Sequence, residues 1–146
     1  MSFRLLRVTA LCTLLATFAL ADKKVISPAP ARAGASAPLF SPAVLVDGTL
    51  YVSGQMGTAS GGISENFEDE MKQALENVGA ILKAADMTFD DVVSVTVFLS
   101  DMELFPRMNS VYTTYFKAPR PARSTVGVAK LANAKGHVEI TVTAHK

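Results

Sequence analysis

The sequence predicts an α+β domain: a single sheet with two helices on one face. Three observations lead there. Two stretches, at 66–85 and about 100–116, repeat apolar residues at three- and four-residue spacing, which marks amphipathic helices. Around them lie β-branched or strictly alternating stretches, in the overall order β-β-α-β-α-β-β. Two helices cannot cover both faces of a sheet of this size, so both are expected on one face, with the other left for a different purpose.

The first 21 residues read as a separate unit. Met1 to Arg7 carries two arginines and no acid, and Val8 to Leu20 is apolar apart from threonines and Cys12. Ala19-Leu20-Ala21 then places small residues at the two positions a signal peptidase reads. Cleavage is expected after Ala21, which sends the protein to a periplasmic or secreted destination. An uncleaved anchor is the alternative, although the run falls short of the roughly 20 apolar residues that span a bilayer comfortably. Thr9-Ala10-Leu11 before Cys12 does not resemble a lipoprotein box.

Cleavage changes the available chemistry. Cys12 is the one cysteine of the 146 residues, so the remaining chain could form no disulfide, thiol nucleophile or thiolate metal site. The formal charge moves from +1 to −1, 12 basic against 13 acidic residues, once Arg4 and Arg7 are gone. No basic patch points to nucleic acid. His137 and His145 are the two imidazoles, and eight-residue spacing is a weak basis for a metal site; surface positions are the plainer reading.

Residues 22–37 read as a linker, broken by Pro28 and Pro30 and filled with Ala, Ser and Gly34, and the domain is expected over 38–146. Phe40 to Val46 predicts a strand, Asp47-Gly48 a hairpin turn and Leu50 to Ser53 the return strand. Gly54-Gln55-Met56-Gly57 ends it, and Gly61-Gly62 belongs to a loop whose spacing matches no phosphate-binding fingerprint.

In the first helix Phe67, Met71, Ala74, Leu75, Val78, Ile81, Leu82 and Ala85 form the apolar stripe. Glu65, Glu68, Asp69 and Glu70 sit in its first turns, where acids complement the helix dipole; a solvated helix start is expected there, not a calcium loop. Val92 to Leu99 predicts a strand with Val93, Val95, Val97 and Leu99 on one face. Ser100-Asp101-Met102-Glu103 matches a capping box, opening a helix with Phe105, Met108, Val111, Tyr112 and Tyr115 on its apolar side. Pro106 lies near its first turn, where proline is tolerated. Ser124 to Val128 is the next strand and Asn133 to Gly136 a turn. Val138 to Ala144 closes the sheet, alternating apolar residues with Glu139, Thr141 and Thr143.

Pro119-Arg120-Pro121-Ala122-Arg123 leads into that penultimate strand. The two prolines hold the backbone extended, so Arg123 projects from a stiff support, suited to gripping a small carboxylate through two parallel hydrogen bonds. Parity groups Arg123 with Thr125 and Gly127, and Glu139 with Thr141 and Thr143. If these strands pair, the guanidinium and the carboxylate converge on the uncovered face, and a mixed face of that kind also invites self-association.

These stretches together resemble the reactive intermediate deaminases, the Rid or YjgF-type family. Phe40-Ser41-Pro42-Ala43-Val44 with Tyr51 to Gln55, Met108 to Tyr112, and Pro121 to Val126 followed by Val138-Glu139-Ile140 carry the resemblance, from about Ala37 to the C-terminus. It implies a chorismate-mutase-like fold, a homotrimer with sites at the subunit clefts, and no cofactor or metal. It also implies hydrolysis of 2-imino and 2-enamino acids to 2-keto acids and ammonia. Arg123 would bind the substrate carboxylate, Glu139 would take the family's conserved acidic position with a catalytic role, and Asn109, Thr125, Gly54 and Phe40 would line the cleft. Many members carry Tyr in place of Phe40 and some carry Cys in place of Thr125.

Such a reaction needs no nucleophilic side chain, and Ser53 and Ser124 have no evident histidine partner for a triad. Two rival readings stay open: a trimer that holds small carboxylates without turning them over, and an interaction protein that uses the sheet face alone.

Overall fold

The computed structural model describes residues 22–29 and 38–146, so the proposed signal segment lies outside the described residues. Its elements are β1 (Lys24–Ile26), β2 (Ala43–Val46), β3 (Thr49–Val52), β4 (Gln55–Met56), β5 (Thr58–Ala59), β6 (Gly62–Ile63), α1 (Phe67–Ala84), β7 (Val92–Leu99), α2 (Phe105–Tyr115), β8 (Ala122–Gly127) and β9 (Val138–His145). The main sheet runs β1-β2-β3-β9-β7-β8, with β4 also paired to β9. All neighbours are antiparallel except β7 and β8, which are parallel and joined through α2. The α+β reading stands, with β1 and the small β4, β5 and β6 added to it.

The tight β2–β3 turn needs positive φ at both central positions, and Asp47 (46°) and Gly48 (74°) supply it. A Cβ on Gly48 would also lie 2.6 Å from the Lys146 carbonyl. The start of the expected linker is a strand: Lys24–Ile26 pair with Ala43–Leu45, and Ile26 is buried. The prolines that suggested a linker follow this strand and do not interrupt it.

α1 behaves as its stripe predicts. The Asn66 side chain accepts from the Asp69 amide at 3.0 Å, and Met71, Ala74, Leu75, Val78, Ile81 and Leu82 are buried. α2 starts differently from expectation. Ser100 does not cap; the Asp101 carboxylate accepts from the Glu103 amide at 2.8 Å and opens a short 3₁₀ turn, Met102–Leu104, ahead of α2. Pro106 then falls in the first turn of α2. Aspartate is at least as good a cap as serine, and one residue of slippage moves the helix start by a turn.

β7 carries a bulge. Val92 pairs with Ala144 and Ser94 with Thr143, which leaves Val93 unpaired and 50 % exposed while Val92 is buried. Beyond the bulge Val95, Val97 and Leu99 face the core as expected. In β9 Val138, Ile140, Val142 and Ala144 are buried beneath the helices, and Glu139, Thr141 and Thr143 line the opposite face. That uncovered face also presents Val25, Tyr51 and Val126, each about half exposed.

The connection from Val128 to His137 passes the end of β7. It is tied there at both ends: Val128 N donates to Leu99 O at 2.8 Å, and Ser100 N to His137 O at 3.0 Å. Among the described residues no helix is long and apolar enough to cross a membrane.

Candidate active site

Arg123 stands on β8 opposite Val95, on the sheet face that the helices cover. β8 is the edge strand, so the side chain is half-buried against α2 and open at the side. Its guanidinium carbon sits 4.5 Å from the centre of the Tyr112 ring and 5.7 Å from that of Phe105, with Nη1 3.8 Å from Met108 Sδ. Two aromatic faces and a thioether hold the cation without neutralising it. No carboxylate among the described residues pairs with it.

Beside it is a hollow of roughly 290 Å³ lined by Asn109, Tyr112, Thr113, Arg120, Pro121 and Arg123. Thr125 lies two residues further along the same side of β8, and its buried hydroxyl has no hydrogen-bond partner among the described residues. The Tyr112 hydroxyl is likewise buried and, among the described residues, unpartnered. Burial pushes the Tyr112 phenol up, and Arg123 and Arg120 only partly oppose this, so it stays a neutral donor.

Glu139 is in a different place. It projects from the uncovered face of β9 into a hollow of roughly 530 Å³ that Phe40, Pro42, Gly54, Gln55 and Ala132 also line. The Glu139 carboxylate lies against the Gly54 backbone: a Cβ there would fall 1.7 Å from Oε1. This close approach occurs where the ladder between β3 and β9 breaks and resumes as β4, and the Thr141 hydroxyl bridges the break by donating to Val52 O. Ser53 secures the rim through its hydroxyl bond to Ser41 O at 2.7 Å and its amide bond to Pro42 O at 2.9 Å.

The six expected site residues therefore fall into two half-sites, Arg123 with Asn109 and Thr125, and Glu139 with Gly54 and Phe40. The expected convergence of Arg123 and Glu139 within one chain does not occur. β8 and β9 do not pair, because β7 lies between them. Arg123 aligns with Val95 and Glu139 with Phe98, which point to opposite faces of β7. Parity within each strand was legible; the strand order was not.

Three contributors escaped the sequence reading. Tyr112 looked like ordinary core, which it is, yet it also backs Arg123. Arg120 lay in the quoted stretch without a role; its Nε donates to Phe116 O at 3.1 Å and its head enters the Arg123 hollow. Glu70, expected at a solvated helix start, is fully buried. Its carboxylate accepts from the His137 and Val138 amides at 2.7 and 3.1 Å and meets His137 Nδ1 at 2.9 Å, which anchors the start of β9 two residues before Glu139. Among the described residues no group of three His, Cys, Asp or Glu side chains is arranged to hold a metal.

Known proteins share this arrangement of elements. The 2-iminobutanoate/2-iminopropanoate deaminase of Bos taurus is 46 % identical over 125 residues, covering 84 % of this chain and 89 % of its own. That of Homo sapiens is 47 % identical over 116 residues, covering 75 % and 80 %. The crystal structure of E. coli TdcF with bound serine superimposes with a TM-score of 0.74 at 33 % identity, covering 84 % of this chain and 98 % of that one. The model of the Endoribonuclease L-PSP family matches residues 30–146, starting ahead of the boundary expected at residue 38. With the fold, the relatives and the family model in agreement, the chain belongs to the Endoribonuclease L-PSP family, that of the YjgF/Rid proteins.

Proposed function

We propose that this protein hydrolyses 2-imino and 2-enamino acids to 2-keto acids and ammonia. The observation that carries the reading is Arg123: a guanidinium fixed on aromatic faces, facing an open hollow, with no carboxylate partner among the described residues. It matches the need of a substrate that carries an α-carboxylate beside its C=N bond. The names of the relatives at 46–47 % identity support the same chemistry.

The reaction is simple in atoms. The enamine takes a proton at carbon and becomes the iminium. Water adds to the iminium carbon, forming a C–O bond. A proton passes from that oxygen to nitrogen, the C–N bond breaks, and ammonia leaves as the carbonyl forms. Positioning by Arg123 accounts for most of the acceleration. Glu139 orients the water or carries the proton.

Glu139 lies on the other sheet face from Arg123, so a complete site is assembled between copies: the Arg123 half of one meets the Glu139 half of its neighbour. The exposed Val25, Tyr51 and Val126 on the uncovered face support such contact, and three copies around an axis make every half-site find a partner. The N-terminal segment directs the protein to the periplasm or outside the cell, with the cut after Ala21. Mass spectrometry of the extracytoplasmic fraction, finding Asp22 as the first residue, is the check.

An RNA-cleaving role, which the family's description also names, has less support. His137 is engaged by Glu70 and His145 Nδ1 lies 3.1 Å from Thr49 Oγ1, and neither imidazole lines either hollow as a general acid or base. The bound serine of TdcF favours a second reading, a carboxylate-binding protein without turnover. One experiment separates the two: keto-acid and ammonia release from freshly generated 2-iminobutyrate, with Arg123→Ala beside the wild type. Acceleration lost in the variant supports the deaminase. Binding lost in the variant, with no acceleration by either protein, supports the second reading.

A further inference from the structure

Two guanidiniums, Arg120 and Arg123, line one hollow of roughly 290 Å³. Among the described residues neither has an ion-pair partner. Placing two like charges on one concave surface is unfavourable unless an anion fills it. Tyr112 lines the same hollow, and the Arg123 guanidinium lies over its ring.

The two arginines are held differently. Arg123 is clamped by the Tyr112 and Phe105 rings and by the Met108 thioether, which fixes where its charge sits. Arg120 is exposed and lines the hollow, and with Nε tied to Phe116 O its two terminal nitrogens have no hydrogen-bond partner among the described residues. Asn109 and Thr113 add uncharged polar groups to the lining, and the buried Tyr112 and Thr125 hydroxyls have no partner among the described residues. A monocarboxylate with an apolar tail uses Arg123 and leaves Arg120 without a counter-charge. A second acidic group at the far end of the substrate uses both.

Resting on the deaminase reading, we propose that the preferred substrates are imino acids with a second carboxylate on the side chain, the 2-imino dicarboxylates. Arg123 takes the α-carboxylate and Arg120 the distal one. The distal acid is a handle and takes no part in the bond changes.

The test compares 2-iminoglutarate with 2-iminopentanoate, equal in chain length and generated in place by an amino-acid oxidase. The expected result is a higher kcat/KM on the dicarboxylate, with a dicarboxylate-to-monocarboxylate ratio that falls about tenfold or more in Arg120→Leu and less in Arg120→Lys. Equal kcat/KM for the two imines in the wild type, or a ratio that Arg120→Leu leaves unchanged, overturns the two-arginine site and spares the deaminase reading. Light scattering runs alongside: an assembly that dissociates in Arg120→Leu assigns Arg120 to the contact between copies and overturns the proposal. Calorimetry with the inert 2-oxoglutarate and 2-oxopentanoate separates the two readings. Preference for 2-oxoglutarate with no acceleration of either imine upholds the paired-arginine site and overturns deamination.

Discussion

The Arg123 guanidinium carbon rests 4.5 Å above the centre of the Tyr112 ring, and among the described residues the hydroxyl of that ring has no hydrogen-bond partner. The ring and the hydroxyl are therefore separable. Tyr112→Phe keeps the aromatic face and removes an unsatisfied buried group, so unfolding stability should change by no more than about 0.5 kcal/mol or should rise. Tyr112→Leu loses the face, and kcat/KM on 2-iminobutyrate should fall mainly through KM. Urea unfolding and steady-state kinetics on the pair read both effects.

Arg123→Lys should not rescue Arg123→Ala. A lysine retains the charge but not the planar fork, and it sits less well on the Tyr112 and Phe105 faces. Both variants are expected to lose about a hundredfold or more in kcat/KM, roughly 2.7 kcal/mol of transition-state stabilisation. A lysine variant within threefold of wild type would refute bidentate anchoring.

Gly54→Ala places a methyl where the Glu139 carboxylate lies, 1.7 Å from Oε1. The flexible end of Glu139 moves aside, so the fold survives. Activity should drop to about the level of Glu139→Gln, and adding Gly54→Ala to that variant should cost little more. Additive losses would separate Gly54 from Glu139.

Mixed assemblies test whether the site is shared between copies. Arg123→Ala and Glu139→Gln proteins, each expected to be inactive alone, are unfolded together, refolded and assayed. A site built from the arginine of one copy and the glutamate of the next should recover about a quarter of wild-type activity, the chance that both contributions are intact. Recovery absent from a properly sized assembly would place both residues within one copy's function.

Glu68 and Arg107 supply an acid-range prediction. Arg107 Nε and Nη2 donate to the two Glu68 oxygens at 2.7 and 2.5 Å, which joins α2 to α1. The Arg107 guanidinium pulls the Glu68 carboxyl down from 4.5 to about 2. A lowered carboxyl contributes stability above its ordinary value and loses it as pH falls towards the lowered one. Wild type should exceed Glu68→Gln by a small, salt-sensitive margin at pH 6, and the margin should close by pH 2 in denaturant titrations.

Local features were legible where short-range physics decides them. The α1 stripe, the Asp47-Gly48 turn and the alternation of β9 needed only spacing and backbone preference. Strand order did not follow, because α2 carries the chain from β7 to a parallel β8 while β9 pairs on the other side of β7. One intervening strand turned an expected Arg123–Glu139 pair into two half-sites. Glu70 was illegible for a related reason. An acid in a first turn is ordinarily solvated, and only the arrival of His137 and Val138, 67 and 68 residues later, shows why this one is buried.

The strand-to-strand crossing from Val128 to His137 has a consequence for how the protein can be varied. Leu99 and Ser100 hold its two ends, while the ladders with β7 fix Arg123 and Glu139 independently of the length between them. Doubling a flexible loop costs only about 0.6 kcal/mol in closure entropy. Of the crossing's residues, Ala132 lines the Glu139 hollow. Insertions around Asn133 to Gly136 can thus reshape the rim of that hollow while the chemistry beneath keeps its registration, which makes this crossing the place to graft new specificity.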